Sequence, residues 1–205
     1  MESRRPYDID SVTDVAFAIF AERGFDAASM EDVARAAGIT KASIYHHVPS
    51  KEALLARGLD RALAALFGVL DEPAARSGSA RERLATIVRR VAEITMSMRA
   101  EVSVLFRVRG NSTTERDAME RRRTFDARIA DLVREAQAAG EIRADIEAGL
   151  IVRLIFGMSN SVVEWYRPGG RAPAAEIAAA IERIAFHGVG ADWAEGPNAT
   201  DSAKG

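Results

Sequence analysis

The chain contains no cysteine, which excludes disulfide bonds, Cys-ligated zinc and thiol catalysis and fits a reducing compartment. Aromatic residues make up 6% of the composition while alanine is abundant, a balance that favours helices over a β-sandwich. No apolar run reaches the roughly 18 residues of a membrane-spanning helix, and the segment GLIVRLIFGM is short and interrupted by Arg153. The charged opening MESRRPYDID has no apolar h-region, so no signal peptide is expected. These absences predict a cytoplasmic chain with no membrane partner. Net charge is −2, so there is no global basic field and any anion-binding surface must be local.

What is present is helical periodicity. Val12, Val15, Ala16, Ile19 and Phe20 form an apolar stripe that Gly24 is placed to stop. Ser29-Met30-Glu31-Asp32 is a capping-box signal opening a second short helix, and Thr40 can cap a third that carries Ile44. Pro49-Ser50 starts a fourth, with Leu54, Leu55, Leu59, Leu63, Leu66 and Leu70 along it. DEPAARSGS at 71–79 reads as a linker or loop. Helical stripes then resume from Leu84 to Ile94, from Val102 to Val108, and from about Thr114 to Ala139. Asp145 is the expected cap of a helix running to Trp165, and Ile177, Ile181 and Ile184 stripe a last one. The expected fold is all-α. A small N-terminal three-helix unit occupies 1–52, a larger helical domain 53–190, and a flexible tail 191–205.

The stretch TKASIYHHVPSK holds two histidines, a tyrosine and two lysines. With Ile44 as the buried anchor and about 100° per residue, Ala42 and His46 point away from the core, flanked by Ser43 and Tyr45. His46 and His47 then lie about 100° apart and cannot chelate one ion as an i, i+4 pair does. No Asp or Cys completes a ligand set, so no metal and no cofactor is expected. The outer face is low at Ala42 and carries hydrogen-bonding tips, with Lys41 and Lys51 at either end. A preceding helix joins it through the turn AAGIT. Helix, glycine turn and polar-faced helix form the geometry of a helix-turn-helix, whose second helix fits the DNA major groove. Backbone amides at the helix starts after Ser29 and Ser50 can hold phosphates. The alternative is a solvated helix in an ordinary bundle.

The block FAERGFDAASMEDVARAAGITKASIYHHVPSKEALL closely resembles the DNA-binding domain of the TetR/AcrR family of transcriptional regulators. The matching residues include Phe20, Gly24-Phe25, Ser29-Met30, Val33-Ala34, Ala37-Gly38-Ile39, Ile44-Tyr45-His46, Pro49-Ser50-Lys51-Glu52 and Leu54-Leu55. Ala42 stands where glycine is frequent, and His47-Val48 where an aromatic pair is common. The resemblance implies Tyr45, His46 and Lys51 at phosphates, Lys41, Ala42 and Ser43 nearest the bases, and Thr40 at either. An arm with Arg4 and Arg5 is expected at the minor groove or backbone, or as a basic tail. Residues 1–50 carry more acids than bases, but Asp8, Asp10, Asp14, Glu22 and Asp26 lie away from the reading surface, so salt-sensitive binding through few contacts is expected.

The resemblance also implies a C-terminal domain that dimerises and takes a small ligand. The last two helices are the expected homodimer pair, with Gly157 and Ser161 allowing close approach, so that two reading helices meet a palindromic double-stranded operator. GMSNSVVEWYRPGG resembles the C-terminal region of TetR-type repressors of fatty-acid, aromatic-acid and steroid breakdown, which respond to acyl-CoA thioesters. On that resemblance Phe106, Phe125, Phe156, Met158 and Trp165 are candidates for an acyl slot, Asn160 for a thioester or pantetheine amide, and Arg109, Arg122 and Arg167 for the phosphates. The expectation is a repressor released by a small molecule, with a hydrophobic drug or other metabolite as the alternative effector. A helical enzyme is disfavoured because no Ser/His/Asp or metal spacing is present, and a protein-binding adaptor is a remote alternative.

Overall fold

The structure, a computed structural model, describes residues 8–189, and of His47 the backbone alone. The arm with Arg4 and Arg5 and the expected tail at 191–205 lie outside the described residues. Ten helices and no strand are present among those described: α1 (Ile9–Arg23), α2 (Met30–Ala37), α3 (Lys41–His47), α4 (Lys51–Val69), α5 (Pro73–Arg76), α6 (Ala80–Ser97), α7 (Arg99–Arg107), α8 (Thr113–Ala138), α9 (Ala148–Trp165) and α10 (Ala174–His187). The fold is all-α, as expected. None of these helices is long and apolar enough to cross a membrane.

The head, α1 to α3 with the start of α4, is built by its caps. Ser29 Oγ accepts from the Asp32 amide while the Asp32 carboxylate accepts from the Ser29 amide, a reciprocal box that fixes where α2 begins. The Ser29 hydroxyl and amide hold the Asp32 carboxyl below its ordinary pKa. Gly38 ends α2 at φ 66°, a left-handed conformation that costs glycine little, and this bend turns the chain into α3. Thr40 and Ser50 cap α3 and α4 with their hydroxyl oxygens, which accept from the Ser43 and Ala53 amides. Inside, Val12, Phe17 and Phe20 of α1 pack on Val33, Ile44, Leu54 and Leu55, all at most 1% exposed. Phe20 meets Phe25 edge-on at 5.2 Å.

From the head, α4 continues without a break through residue 52, the expected domain edge, and becomes a strut of the larger bundle against α7 and α8. Its apolar stripe therefore serves two cores. Leu54 and Leu55 belong to the head; Leu59, Leu63 and Leu66 belong to the bundle, and one buried cluster runs through both. The α1–α4 crossing is close because position 58 is glycine: a Cβ there would lie 2.0 Å from Phe17 Cε2. Two departures from the sequence reading are local. The segment 71–79, expected as a loop, contains α5, one turn begun by Pro73, whose missing N–H is not needed at a first helical position. The cap of α9 is Glu147, not Asp145. Glu147 accepts from the amides of Gly149 and Leu150, whereas Asp145 is taken by Arg143 in a two-pronged ion pair.

Polar contacts clamp the head to the bundle. Arg61 on α4 reaches Asp14 of α1 at 2.6 Å and Glu101 of α7 at 2.5 Å, and Arg57 reaches Asp10 at 2.8 Å. Arg107 donates to the Ala21 carbonyl, and Ser112 donates to Glu52. Between α7 and α8, Glu115 Oε2 accepts from three successive amides, those of Arg109, Gly110 and Asn111, at 2.8–2.9 Å. Burial raises the Glu115 pKa, but the three amides outweigh it and leave the carboxyl below its ordinary value.

Candidate nucleic-acid interface and ligand cavity

The seven residues of α3 divide by face as the helical wheel requires. Ile44 is fully buried and Val48, just past its end, is buried beside it. Lys41, Ala42, Tyr45 and His46 are exposed, and Ser43 is half-buried. Tyr45 is 46% exposed, an unusual placement for a large aromatic ring without a partner to cover it. Thr40 Oγ1 accepts from the Ser43 amide at 3.1 Å and lies 2.8 Å from the Ser43 hydroxyl, so the first turn of α3 is rigid before anything binds. The face is shallow at Ala42 and tipped with phenol, imidazole and ammonium groups. Such a strip can enter a groove and donate to base edges and phosphates.

Lys51 departs from its expected place at a phosphate. Its ammonium donates to the carbonyls of Phe25 and Ala28, each at 2.8 Å, and sits 4.4 Å from the centre of the Phe25 ring. It ties the α1–α2 loop to the first turn of α4, a structural task that uses the donors a phosphate would take. Residue type and spacing gave no sign of this, because the carbonyls come from 23 and 26 positions upstream. Ser29 is exposed, but its hydroxyl is hydrogen-bonded to the Asp32 carboxylate at 2.6 Å, and the α2 amide it serves is satisfied within the box.

The second site is a cavity of about 580 Å³ within the bundle, walled by α4, α6, α7, α8 and α9. Five of the nine residues expected at a ligand gather there: Phe106, Arg122, Phe125, Phe156 and Asn160. Phe125 is the centre of the apolar wall, stacked on Phe156 at 5.8 Å and edge-on to Phe67 at 5.5 Å. Arg122 lies over the Phe106 ring at 5.4 Å and donates to the Leu105 carbonyl at 3.1 Å, so its guanidinium is already oriented.

Four expected residues do not reach the cavity. Arg109 is exposed on the α7–α8 loop, where its amide rather than its side chain is used. Trp165 is 54% exposed at the far end of α9, and Arg167 beyond it bonds to the carbonyls of Glu164 and Tyr166. Met158 also lies off the lining, on another face of α9. In their place the cavity gains Arg123, Asp126 and Arg153. A helical stripe in the sequence carries that signal: Gly149, Val152, Arg153, Phe156 and Asn160 follow 3- and 4-residue steps along α9, and Asp126 stands one turn after Arg122. Burial pushes the Asp126 carboxyl above its ordinary pKa, opposed by the charges of Arg122 and Arg153.

On the outer faces of α9 and α10, Leu150, Leu154, Trp165 and Ile184 are exposed large apolar residues. Gly157 also opens to space, with nothing within 4 Å of where its Cβ would be. One chain alone leaves these side chains in water.

With this geometry in hand, the relatives can be compared. Residues 12–57 match the family model for bacterial regulatory proteins of the tetR family, and residues 77–189 match that for the tetracyclin repressor-like C-terminal domain. Among curated proteins, the chain is 30% identical over 184 residues to the HTH-type transcriptional repressor KstR2 of Rhodococcus jostii, covering 86% of this chain and 88% of that protein. Among solved structures it resembles a member of the TetR transcriptional regulator family from Streptomyces coelicolor A3, at 50% identity and a TM-score of 0.82 over 91% of this chain and 93% of the other. It also resembles the ketosteroid transcriptional regulator KstR2 of Mycobacterium tuberculosis, at 26% identity and a TM-score of 0.76 over 92% and 95% of the two chains.

Proposed function

The chain belongs to the TetR family of bacterial regulatory proteins, and from that premise we propose that it is a homodimeric repressor released from its operator by an acyl-CoA thioester. The observation that carries the reading is that one rigid helix, α4, ends in the reading head and also walls the ligand cavity. Ser50 caps it beside α3, and Leu66 lines the cavity. Those two positions are about 24 Å apart along the helix at 1.5 Å per residue. A ligand that displaces Leu66 therefore swings the head. The clamp of Arg57, Arg61, Asp10, Asp14 and Glu101 carries α1 with it.

DNA recognition is assigned to the outer face of α3. Lys41, Ala42 and Ser43 face bases, Tyr45 and His46 face phosphates, and Thr40 lies at the edge. Lys51 and Ser29 hold the head in shape rather than touching DNA through their side chains. Dimerisation through α9 and α10 covers Leu150, Leu154, Trp165 and Ile184 and presents two α3 helices to half-sites about 34–36 Å apart, or a multiple of that spacing. That the KstR2 relative, covered over 88% of its length, is named a repressor supports repression as the mode.

The acyl-CoA assignment rests on the chemistry of the cavity. Its inner wall is phenyl and aliphatic, suited to an acyl chain, whereas Arg123 and Arg153 are exposed at its edge, suited to phosphates. Release requires only that the ligand prefer the state whose heads do not fit the operator. A hundredfold loss of operator affinity corresponds to about 2.7 kcal/mol of differential binding. The test is operator DNA bound to the protein and titrated with CoA thioesters of graded acyl size. Release at micromolar thioester is expected. Release by an unrelated hydrophobic compound, with every thioester inert, would assign the cavity to another effector.

A further inference from the structure

Among the polar groups lining the cavity, two are already engaged. Thr95 donates to the Val91 carbonyl at 2.9 Å, and one nitrogen of Arg122 goes to the Leu105 carbonyl. Asp126 is the one carboxylate among the cavity's lining residues. Its carboxylate accepts no hydrogen bond and makes no ion pair with a described residue, although Arg122 and Arg153 act on it at longer range. It stands on α8 directly after Phe125, in the wall that Phe156 and Val152 complete from α9. Asp126 is half-buried, and burial penalises its charged form, so a hydrogen-bond donor brought to it would be favourable. Asn160, one further turn along α9 from Phe156, brings both a donor and an acceptor to the same space.

We infer that Asp126 is the specificity-determining residue of the cavity, accepting a hydrogen bond from an N–H or O–H that the effector carries between its apolar body and its anionic end. The inference rests on the acyl-CoA reading and sharpens it. In a CoA thioester the acyl chain is followed by a thioester, which only accepts, and then by the pantetheine amides, which donate. Asn160 serves the carbonyl and Asp126 the amide N–H. A free acid of the same chain brings a carboxylate to the place where the thioester would lie, next to the carboxylate of Asp126, and like charges there disfavour it. The cavity thereby reports the activated thioester and ignores its unactivated precursor.

The test uses the full chain and calorimetric titration with butyryl-, octanoyl-, palmitoyl-, phenylacetyl- and cholyl-CoA, the N-acetylcysteamine thioesters of the same acids, and the free acids. For the tightest thioester, Asp126→Ala is expected to weaken binding by about tenfold to a hundredfold, the range for removing a charged hydrogen-bond partner. Asp126→Asn is expected to narrow the preference for thioester over free acid by at least about tenfold on the same scale, and both variants should melt no lower than the wild type. The N-acetylcysteamine thioester, which keeps an amide but has no phosphate, should lose affinity on Asp126→Ala in the same proportion as the CoA thioester. If a thioester binds the wild type and both variants equally, with the acid preference unmoved, the role of Asp126 is overturned while the effector class stands. If no thioester binds the wild type, the effector class fails and the inference with it. Loss of fold in both variants would make Asp126 a structural residue and overturn the inference by itself.

Discussion

Replacing Gly58 with alanine tests how closely the reading head is fitted to the rest of the molecule. A Cβ at that position would lie 2.0, 2.3 and 2.6 Å from three carbons of the Phe17 ring, which is itself fully buried. Carbon atoms at ordinary contact are about 3.5–4.0 Å apart, so α1 and α4 must separate by roughly 1.5 Å or the ring must leave its rotamer. Overpacking of this kind costs about 1–3 kcal/mol, and the geometry puts Gly58→Ala at the upper end. Alanine's higher helix propensity offsets about 1 kcal/mol of that cost, leaving a net loss of about 2 kcal/mol. For a chain of this size that lowers Tm by roughly 4–8 °C. Gly68→Ala is the control on the same helix: nothing lies within 4 Å of its Cβ position, so the propensity gain is unopposed and Tm should rise. Thermal unfolding followed by circular dichroism measures both. In a double-mutant cycle, Phe17→Leu should be less costly in the Gly58→Ala background than in the wild type. A Gly58→Ala protein as stable as the wild type would refute the close crossing of α1 and α4.

The remaining predictions concern polar groups. Arg61→Met strands the Glu101 carboxylate, which is 8% exposed; since Arg61 is itself 31% exposed, the loss is set below the value for fully buried pairs, at about 2 kcal/mol. Adding Glu101→Gln to that variant should recover most of it in urea unfolding. Glu115→Gln weakens the hold on three amides and should cost about 1–2 kcal/mol at neutral pH. Because folding lowers the Glu115 pKa, its contribution is complete above the ordinary glutamate range and is lost as pH falls through the lower folded value. The gap between wild type and Glu115→Gln should therefore close in acid, and a gap that widens there would contradict the sign.

The parts of the fold that were legible in the sequence are those fixed by local chemistry. Ser29, Thr40 and Ser50 each place a hydroxyl at a helix start, and the box with Asp32 is a four-residue signal. The inward turn of Ile44 and the outward turn of Tyr45 and His46 follow from helical pitch alone. Contacts between distant segments left no such trace. Lys51 reads as a free cation until the carbonyls of Phe25 and Ala28 are seen to enclose its ammonium. Trp165 and Arg167 read as ligand residues on the resemblance of their segment, yet the end of α9 and the residues after it lie past the cavity. Asp126 went unread although it stands one turn after Arg122, because in a helix crowded with charge a single aspartate does not stand out.

The central claim is that the exposed strip of α3 meets DNA. Its most direct measurement is the retardation of DNA flanking the gene by the wild type and by Tyr45→Ala, across a range of salt concentrations. Tyr45 is half in solvent and supports no core contact, so its removal should leave helix content and dimerisation unchanged. The account predicts specific retardation by the wild type, weakening with salt, and its loss with Tyr45→Ala. Equal retardation by both proteins would contradict it.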